Sequence, residues 1–445
     1  MGKETTYLNL FRNYREVLRQ YSAPLMDSKR EAAIGLFEKA GFPGPKDEAY
    51  RQCRLDALLE IDYGMNLYRL SAPAHPSKVF RCEVPSLSTK LFFVVNDVYY
   101  PDPEPQKLPE GVLYGSINAI LREHSELMAP YYDRIAGQSA DAFAALNTAM
   151  AQDGFLLFVP AGVEIEQPLQ LIQLFHGEIE QMANRRNLVI IEDGASAKLM
   201  ICDHSMTQSS CFSNQVTEVF VGKKARLEYY ELEMTHPNNT RLSNTFIDQQ
   251  ASSSVFVNGI TLNNGVSRNN LNLRMLGEQA ESMLSGLCLL DSHQFADYHV
   301  DVEHVVPQCT SRQLYKYILD DESRGVFAGK VLVHPNAQKT SAYQSNANLC
   351  NSSRARMNAL PQLEIYADDV KCSHGSATGQ IDENALFYMR SRGLSEQEAR
   401  AMLKFAFVAD VIEGIQLIPL KNRIHNLVGK RFRKQMSACA GCDIC

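Results

Sequence analysis

Apolar and polar positions follow two different periods along this chain, and the change between them falls near residue 154. Before it, Tyr7, Leu8, Leu10, Phe11, Tyr14, Val17 and Leu18 recur at helical spacing until Pro24 interrupts them. Ser28 is placed to cap a second helix ending near Gly41, ahead of the break Gly41-Phe42-Pro43-Gly44-Pro45. A third helical stretch is expected over 47–59, and a strand-like run over 91–100 opens a mixed region reaching Ala151. No catalytic signature lies in this part, which reads as helices packing against the main body or a partner.

From about Gly154 short apolar runs take over, at 155–159, 188–191, 216–221, 254–257, 287–290 and 331–333, each bounded by polar turns. Ala195, Ala225, Ala251 and Ala280 follow these turns, a recurrence of roughly 25–30 residues that suits a coiled repeat. No 10–15-residue helical pattern separates the runs, which argues against alternating α/β units. Coils of sheet bury their inward side chains only by stacking on the next coil. The period alone leaves a β-helix and a β-sandwich both open.

The stretch 361–394 joins the two textures. Residues 363–366 read as a strand, Asp368 and Asp369 mark a turn, and Val370 starts an extended piece carrying Cys372 and His374. Two residues apart on a strand, that thiol and that imidazole share one face. Asp382 is placed to cap a helix and Gly393 to close it. Ser395-Glu396-Gln397-Glu398 forms a capping box before Ala399, Met402, Leu403, Ala406 and Val411 at helical spacing. Pro419 opens a last helix with Lys430, Arg431, Arg433 and Lys434 near its end, where positive charge suits the dipole.

Cys372 and His374 are the first chemical candidates, because thiolate and imidazole are ligands that iron, zinc and iron–sulfur clusters accept. A lone Cys-x-His more often marks a structural cysteine and a satisfied histidine. The tail Cys439-Ala-Gly-Cys442-Asp-Ile-Cys445 is the second candidate, for metal or persulfide, though the fourth cysteine and proline of a ferredoxin run are missing. Cys202 with His204, and His293 with His299 and His304, could line a face but read better as satisfied histidines. The segment 325–331 only imitates a phosphate loop: three residues separate its glycines, and Val331 follows Lys330 where Ser or Thr would meet magnesium. With no other nucleotide, hydrolase or zinc-protease motif, no enzyme activity is expected.

The chain of 445 residues carries a formal charge of −7, which argues against nucleic acid, and no apolar run approaches a membrane span. Eleven cysteines and no apolar signal core at the N-terminus lead us to expect reduced thiols in the cytoplasm. A match of Gly2 and Thr6 to a myristoylation pattern has no other support.

Leu-Glu-Ile-Tyr-Ala-Asp-Asp-Val-Lys-Cys-Ser-His-Gly over 363–375 and Phe-Tyr-Met-Arg-Ser-Arg-Gly-Leu over 387–394 closely resemble the C-terminal core of the SufB/SufD family of iron–sulfur cluster assembly proteins. Lys-Cys-Ser-His-Gly follows the SufD-type pattern, since the SufB type has an acidic residue on each side of the histidine. The SufB scaffold cysteine also has no counterpart in 354–360. Ser376-Ala377-Thr378 departs from the commoner Ala-Thr-Val.

The resemblance implies a mainly β chain, a right-handed parallel β-helix core flanked by helical regions. It divides as 1–152 N-terminal, mainly helical with a few strands; 153–381 β-helix; 382–438 C-terminal helical; and 439–445 cysteine tail. It also implies a non-catalytic subunit of a SufBCD complex, pairing with SufB through the β-helix and presenting Cys372 and His374 at that interface. The ATPase SufC would dock on the C-terminal helices, around Met402, Leu403, Ala406 and Val411. No cofactor would be held stably by this chain alone; iron or a transient cluster would be shared with SufB, and the isolated chain could form a homodimer. The alternatives are a cytosolic metal or redox carrier using Cys439, Cys442 and Cys445, and a carbohydrate-active β-helix enzyme. The abundant thiols and the absent signal core oppose the latter.

Overall fold

Side chains alternating between two faces make strands, and from Gly154 onward the chain is built almost wholly of them, mostly nine to eleven residues long. The computed structural model describes residues 3–44, 46–53, 55–70, 75–79, 89–102 and 107–435. Consecutive strands fall in opposite sheets, one of nine strands and one of ten. Thr240 pairs with Val266, Val266 with Phe295, Phe295 with Arg324 and Arg324 with Arg356, all parallel, in steps of 26, 29, 29 and 32 residues. A sandwich would pair neighbouring strands antiparallel; parallel pairing one coil apart makes this a mainly β parallel solenoid of about eight turns.

Register decides what is buried. Val189, Val219, Ile247, Leu273, Val302 and Val331 lie in one inward column, each paired with the next, and all are buried. Each such side chain contributes roughly 1.5–3 kcal/mol relative to exposure. At one corner Gly194, Lys224, Ser252, Gln279, Gln308 and Lys339 repeat a left-handed backbone, with φ from 56° to 69°. Behind it Ala195, Ala225, Ser253, Ala280, Cys309 and Thr340 form a fully buried column. Ala251, which the turn pattern places in this column, lies outside it. Ser253 holds the place instead, because the left-handed residue, Ser252, must come immediately before it.

The first coil is closed by the N-terminal region. Strand Lys90–Val95 pairs in parallel with Leu169–Phe175, and Leu113–Ser116 runs antiparallel to Gly154–Val159. At Gly154 (φ 152°) a Cβ would lie 1.8 Å from the Arg186 carbonyl oxygen, so the crossing requires glycine. Helices Lys3–Gln20, Pro24–Ala40 and Ala142–Met150 cover part of the outer face of the nine-stranded sheet. The second helix starts at Pro24 rather than after Ser28, since proline fits the first turn and lacks the unpaired N–H; the Ser28 hydroxyl donates to Leu25 O. The expected third helix shrinks to the turn Glu48–Tyr50 and the short helix Leu55–Leu58. Tertiary contacts win here: the Arg268 guanidinium lies 3.9 Å over the Tyr50 ring and donates to Ala49 O.

Asp382 caps helix Glu383–Ser391 by accepting the Asn384 N–H, and Gly393 follows with φ 94°. Ser395 caps Glu396–Glu413 by accepting the Glu398 N–H, while the Glu398 carboxylate accepts from Arg433, the residue that caps the C-terminus of the last helix, Ile418–Phe432. Val408, Val411, Ile412, Ile415, Ile424 and Leu427 bury against Met200, Tyr230, Phe256, Ile260, Leu287 and Ile318 on the outer face of the ten-stranded sheet. Among the described residues no helix is long and apolar enough to cross a membrane.

Candidate functional site

Among the described residues the solenoid stops without a cap at the end far from the N-terminal region. There strand Lys371–Gly379, the last of the ten-stranded sheet, pairs with Ser341–Cys350 and with no other described strand. Strand Arg356–Ile365, the last of the other sheet, pairs with Arg324–Val333 and with no other described strand. Both therefore keep a row of backbone hydrogen-bonding groups on their outer edge, the arrangement that invites another strand.

Because Ala342, Gln344, Asn346 and Asn348 point inward and are buried, their register partners Cys372, His374, Ser376 and Thr378 point the same way. No described residue stacks on this final row, so His374 is exposed and Cys372 half-buried. The two share a face, about 7 Å apart along the strand. Cys372, like Leu363 and Val370, packs against the buried cluster of Val331, Val333, Ala337, Ala342 and Ala367. Burial pushes its thiol above the ordinary value, with a backbone hydrogen bond at Ala342 opposing. The Ser376 hydroxyl donates to Asn346 Oδ1 at 3.1 Å, and Asn348 Nδ2 donates to Thr378 Oγ1 at 3.1 Å. Across the open end Leu360, Ile365 and Tyr366 expose 46, 40 and 63 % of their surface, an apolar rim beside two unpaired edges.

The helical candidates divide between two faces. Met402 and Ala406 are exposed, Leu403 is half-buried, and Val411 is fully buried on the solenoid side. Val411 therefore belongs to the seam that holds the helices, not to the outward surface the spacing suggested. Outward, Met402, Phe405, Ala406, His425 and Lys430 line a groove of about 540 Å³, with the Phe405 and His425 rings 4.2 Å apart. The helix is fixed to the solenoid by Lys404 on Asp320 at 2.7 Å and Lys316 on Asp410 at 2.7 Å.

The remaining candidates do not assemble. Cys439, Cys442 and Cys445 lie outside the described residues. His293 is an exposed turn residue, His299 contacts Asp297 at 3.1 Å, and His304 is buried on Ser311 Oγ at 2.8 Å, so the three share no face. Cys202 and His204 are both buried. Residues 325–331 lie within strand Arg324–Val333, with Lys330 on Glu364 at 2.9 Å, not in a loop before a helix. Among the described residues no three His, Cys, Asp or Glu side chains gather to hold a metal. The polar ladder beneath the last strand (Gln344, Asn346, Asn348) escaped the sequence reading. Its signal is alternate Gln and Asn within one strand, but buried polar columns look like solvent-facing ones until register is known.

The model of the SufBD core domain of the SUF cluster assembly system matches residues 174–407, and that of the SufBD N-terminal region matches residues 1–171. The iron–sulfur cluster assembly protein SufD of Escherichia coli is 30 % identical over 296 residues, 66 % of this chain and 70 % of that protein. The chloroplast protein ABCI7 of Arabidopsis thaliana is 30 % identical over 333 residues, 73 % of this chain and 70 % of its own. A SufBD family protein of Synechocystis is 29 % identical over 420 residues, 92 % of this chain and 91 % of its own. With both halves of the chain matched and a SufD-type strand at the open end of the solenoid, the chain belongs to the SufB/SufD family of iron–sulfur cluster assembly proteins and is SufD-like.

Proposed function

We propose that this chain is a non-catalytic subunit of a cytoplasmic SufBCD complex, pairing with SufB at the open end of the solenoid and with the ATPase SufC at the C-terminal helices. The observation that carries the reading is the uncapped last coil. It combines two unpaired strand edges, an apolar rim, and Cys372 with His374 on the final inward row. A partner strand would satisfy the edges and cover Leu360, Ile365 and Tyr366. It would also bring the further ligands that iron or a nascent cluster needs, since this row offers one sulfur and one imidazole.

Iron and sulfide are cargo in this reading. The Cys372 thiol, whose pKa burial raises, loses its proton to solvent as a metal takes the sulfur, and the His374 imidazole offers a nitrogen as a further ligand. ATP-driven closure of SufC subunits would act through the helices on the solenoid, which requires two arrangements that nucleotide distinguishes. The seam described above, with Lys404 on Asp320 and Lys316 on Asp410, is the mechanical link available for that.

The test is co-expression with SufB and SufC, mass measurement of the intact assembly, and anaerobic cluster yield for His374→Ala. The expected result is an intact complex with sharply reduced yield, because one imidazole does not hold a multi-strand interface together. Normal yield from an intact variant complex would refute the role, and a complex that dissociates would make His374 structural.

A further inference from the structure

The inward row that ends at His374 is apolar through Tyr229, Val257 and Leu284 and turns polar two coils before its end. Gln313 pairs with Gln344 and Gln344 with His374, so the three side chains stack about 4.8 Å apart. Gln344 is 3 % exposed, and its Nε2 donates to Gln313 Oε1 at 3.0 Å. An amide directs its nitrogen and its oxygen away from each other, so an Nε2 aimed at the preceding coil turns Oε1 toward the following one. That oxygen is buried and has no hydrogen-bond partner among the described residues. A buried amide oxygen without a donor is costly, and the group in register above it is the His374 imidazole. On the adjacent rows the same step is bridged, Ser376 to Asn346 and Asn348 to Thr378.

We infer that Gln344 is a positioning residue for His374, its side-chain carbonyl accepting the imidazole N–H. Neutral imidazole has one N–H and one lone pair. Committing the N–H to Gln344 selects a single tautomer and leaves the other nitrogen, with its lone pair, turned outward to the open end. Ligating histidines are commonly oriented by such a second contact. The glutamine ladder thus carries order from the buried interior to the exposed ring: Gln313 holds Gln344, and Gln344 holds His374. The consequence for cluster building rests on the function proposed above; the tautomer itself does not.

The experiment uses the full chain labelled with [15N]histidine at pH 8, with the His374→Ala spectrum identifying the His374 ring nitrogens. The native chain is expected to show two well-separated shifts of one tautomer. In Gln344→Met they should converge toward the average of both tautomers. If that variant folds poorly because Gln313 loses its donor, Gln313→Leu with Gln344→Met removes both members together and should give the same convergence. Averaged shifts in the native chain, or unchanged shifts in the variants, would overturn the positioning. In the complex with SufB and SufC, Gln344→Met should lower cluster yield about tenfold. Normal yield beside a lost tautomer would leave the positioning standing and overturn the assignment of His374 to cluster building.

Discussion

Arg186 Nη2 lies 2.6 Å from Glu218 Oε2, and both side chains are fully buried where the N-terminal region meets the outer face of the nine-stranded sheet. The same carboxylate accepts the backbone N–H groups of Asp133, Ile135 and Ala136 at 2.8, 2.8 and 3.1 Å. Arg186 also reaches Asp133 and Thr148. One ion pair therefore joins the N-terminal region to the solenoid. Glu218→Ala should cost about 3–5 kcal/mol, because it takes one of the two carboxylates from a buried guanidinium and leaves three buried N–H donors without an acceptor. Glu218→Gln, which keeps an acceptor oxygen, should cost less. Urea midpoints of the three chains check this; equal midpoints would contradict it.

Glu233 points into the solenoid, where burial pushes its carboxyl up to about 7 against the pull of Arg241 and hydrogen bonds from Ser267 and Thr261. Its unfolded value is near 4.5. A folded value above the unfolded one means stability fully present below about pH 4.5 and lost as pH rises through about 7, a total of roughly 3 kcal/mol. His304, lowered by burial to about 4, acts oppositely, losing stability as pH falls below 6.5. The difference between native chain and Glu233→Gln isolates the first effect: the variant should gain relative stability from pH 5 to pH 8. A pH-independent difference in urea unfolding would exclude it.

The C-terminal helices should be tested by point substitution, not deletion. Removing everything after Gly393 would uncover Met200, Tyr230, Phe256, Ile260, Leu287 and Ile318, and the exposed sheet face should aggregate. Met402→Asp with Ala406→Asp alters only exposed positions. It should abolish co-purification of SufC while leaving the thermal midpoint within about 1–2 °C. Val411→Asp should instead unfold the helical seam. Unchanged SufC binding in the Met402/Ala406 variant would place the ATPase contact elsewhere.

Among the described cysteines only Cys350 and Cys372 are not buried. With Cys82, Cys439, Cys442 and Cys445, which lie outside the described residues, replaced by Ser, alkylation should report mainly on these two. The raised Cys372 value predicts slow reaction with iodoacetamide at pH 7, rising steeply through pH 9. Mass mapping of the modified peptide checks it; fast labelling of Cys372 at pH 7 would show an activated thiolate. A variant with only Cys439, Cys442 and Cys445 replaced should still assemble with SufB and SufC, since these positions come after the last described helix, and a complex that falls apart would make the tail structural.

Much of this molecule is written in local pattern. Capping at Asp382 and Ser395, the shared face of Cys372 and His374, and a repeat near 25–30 residues follow from side-chain chemistry and strand geometry over a few positions. These signals need no knowledge of what packs on what. Register is different. It depends on residues about thirty positions away, and so it decided that Ser253 rather than Ala251 fills the corner column. It also put the polar residues Gln344, Asn346 and Asn348 inside, where polarity alone would have faced them to water. Burial split the helical stripe in the same way, turning Met402 outward and Val411 onto the sheet, because the apolar face that packs is chosen by the surface opposite it. The open end is likewise a tertiary fact: Leu360 and Ile365 are ordinary strand residues, and Tyr366 an ordinary residue at the strand's end, until no further described coil arrives to cover them.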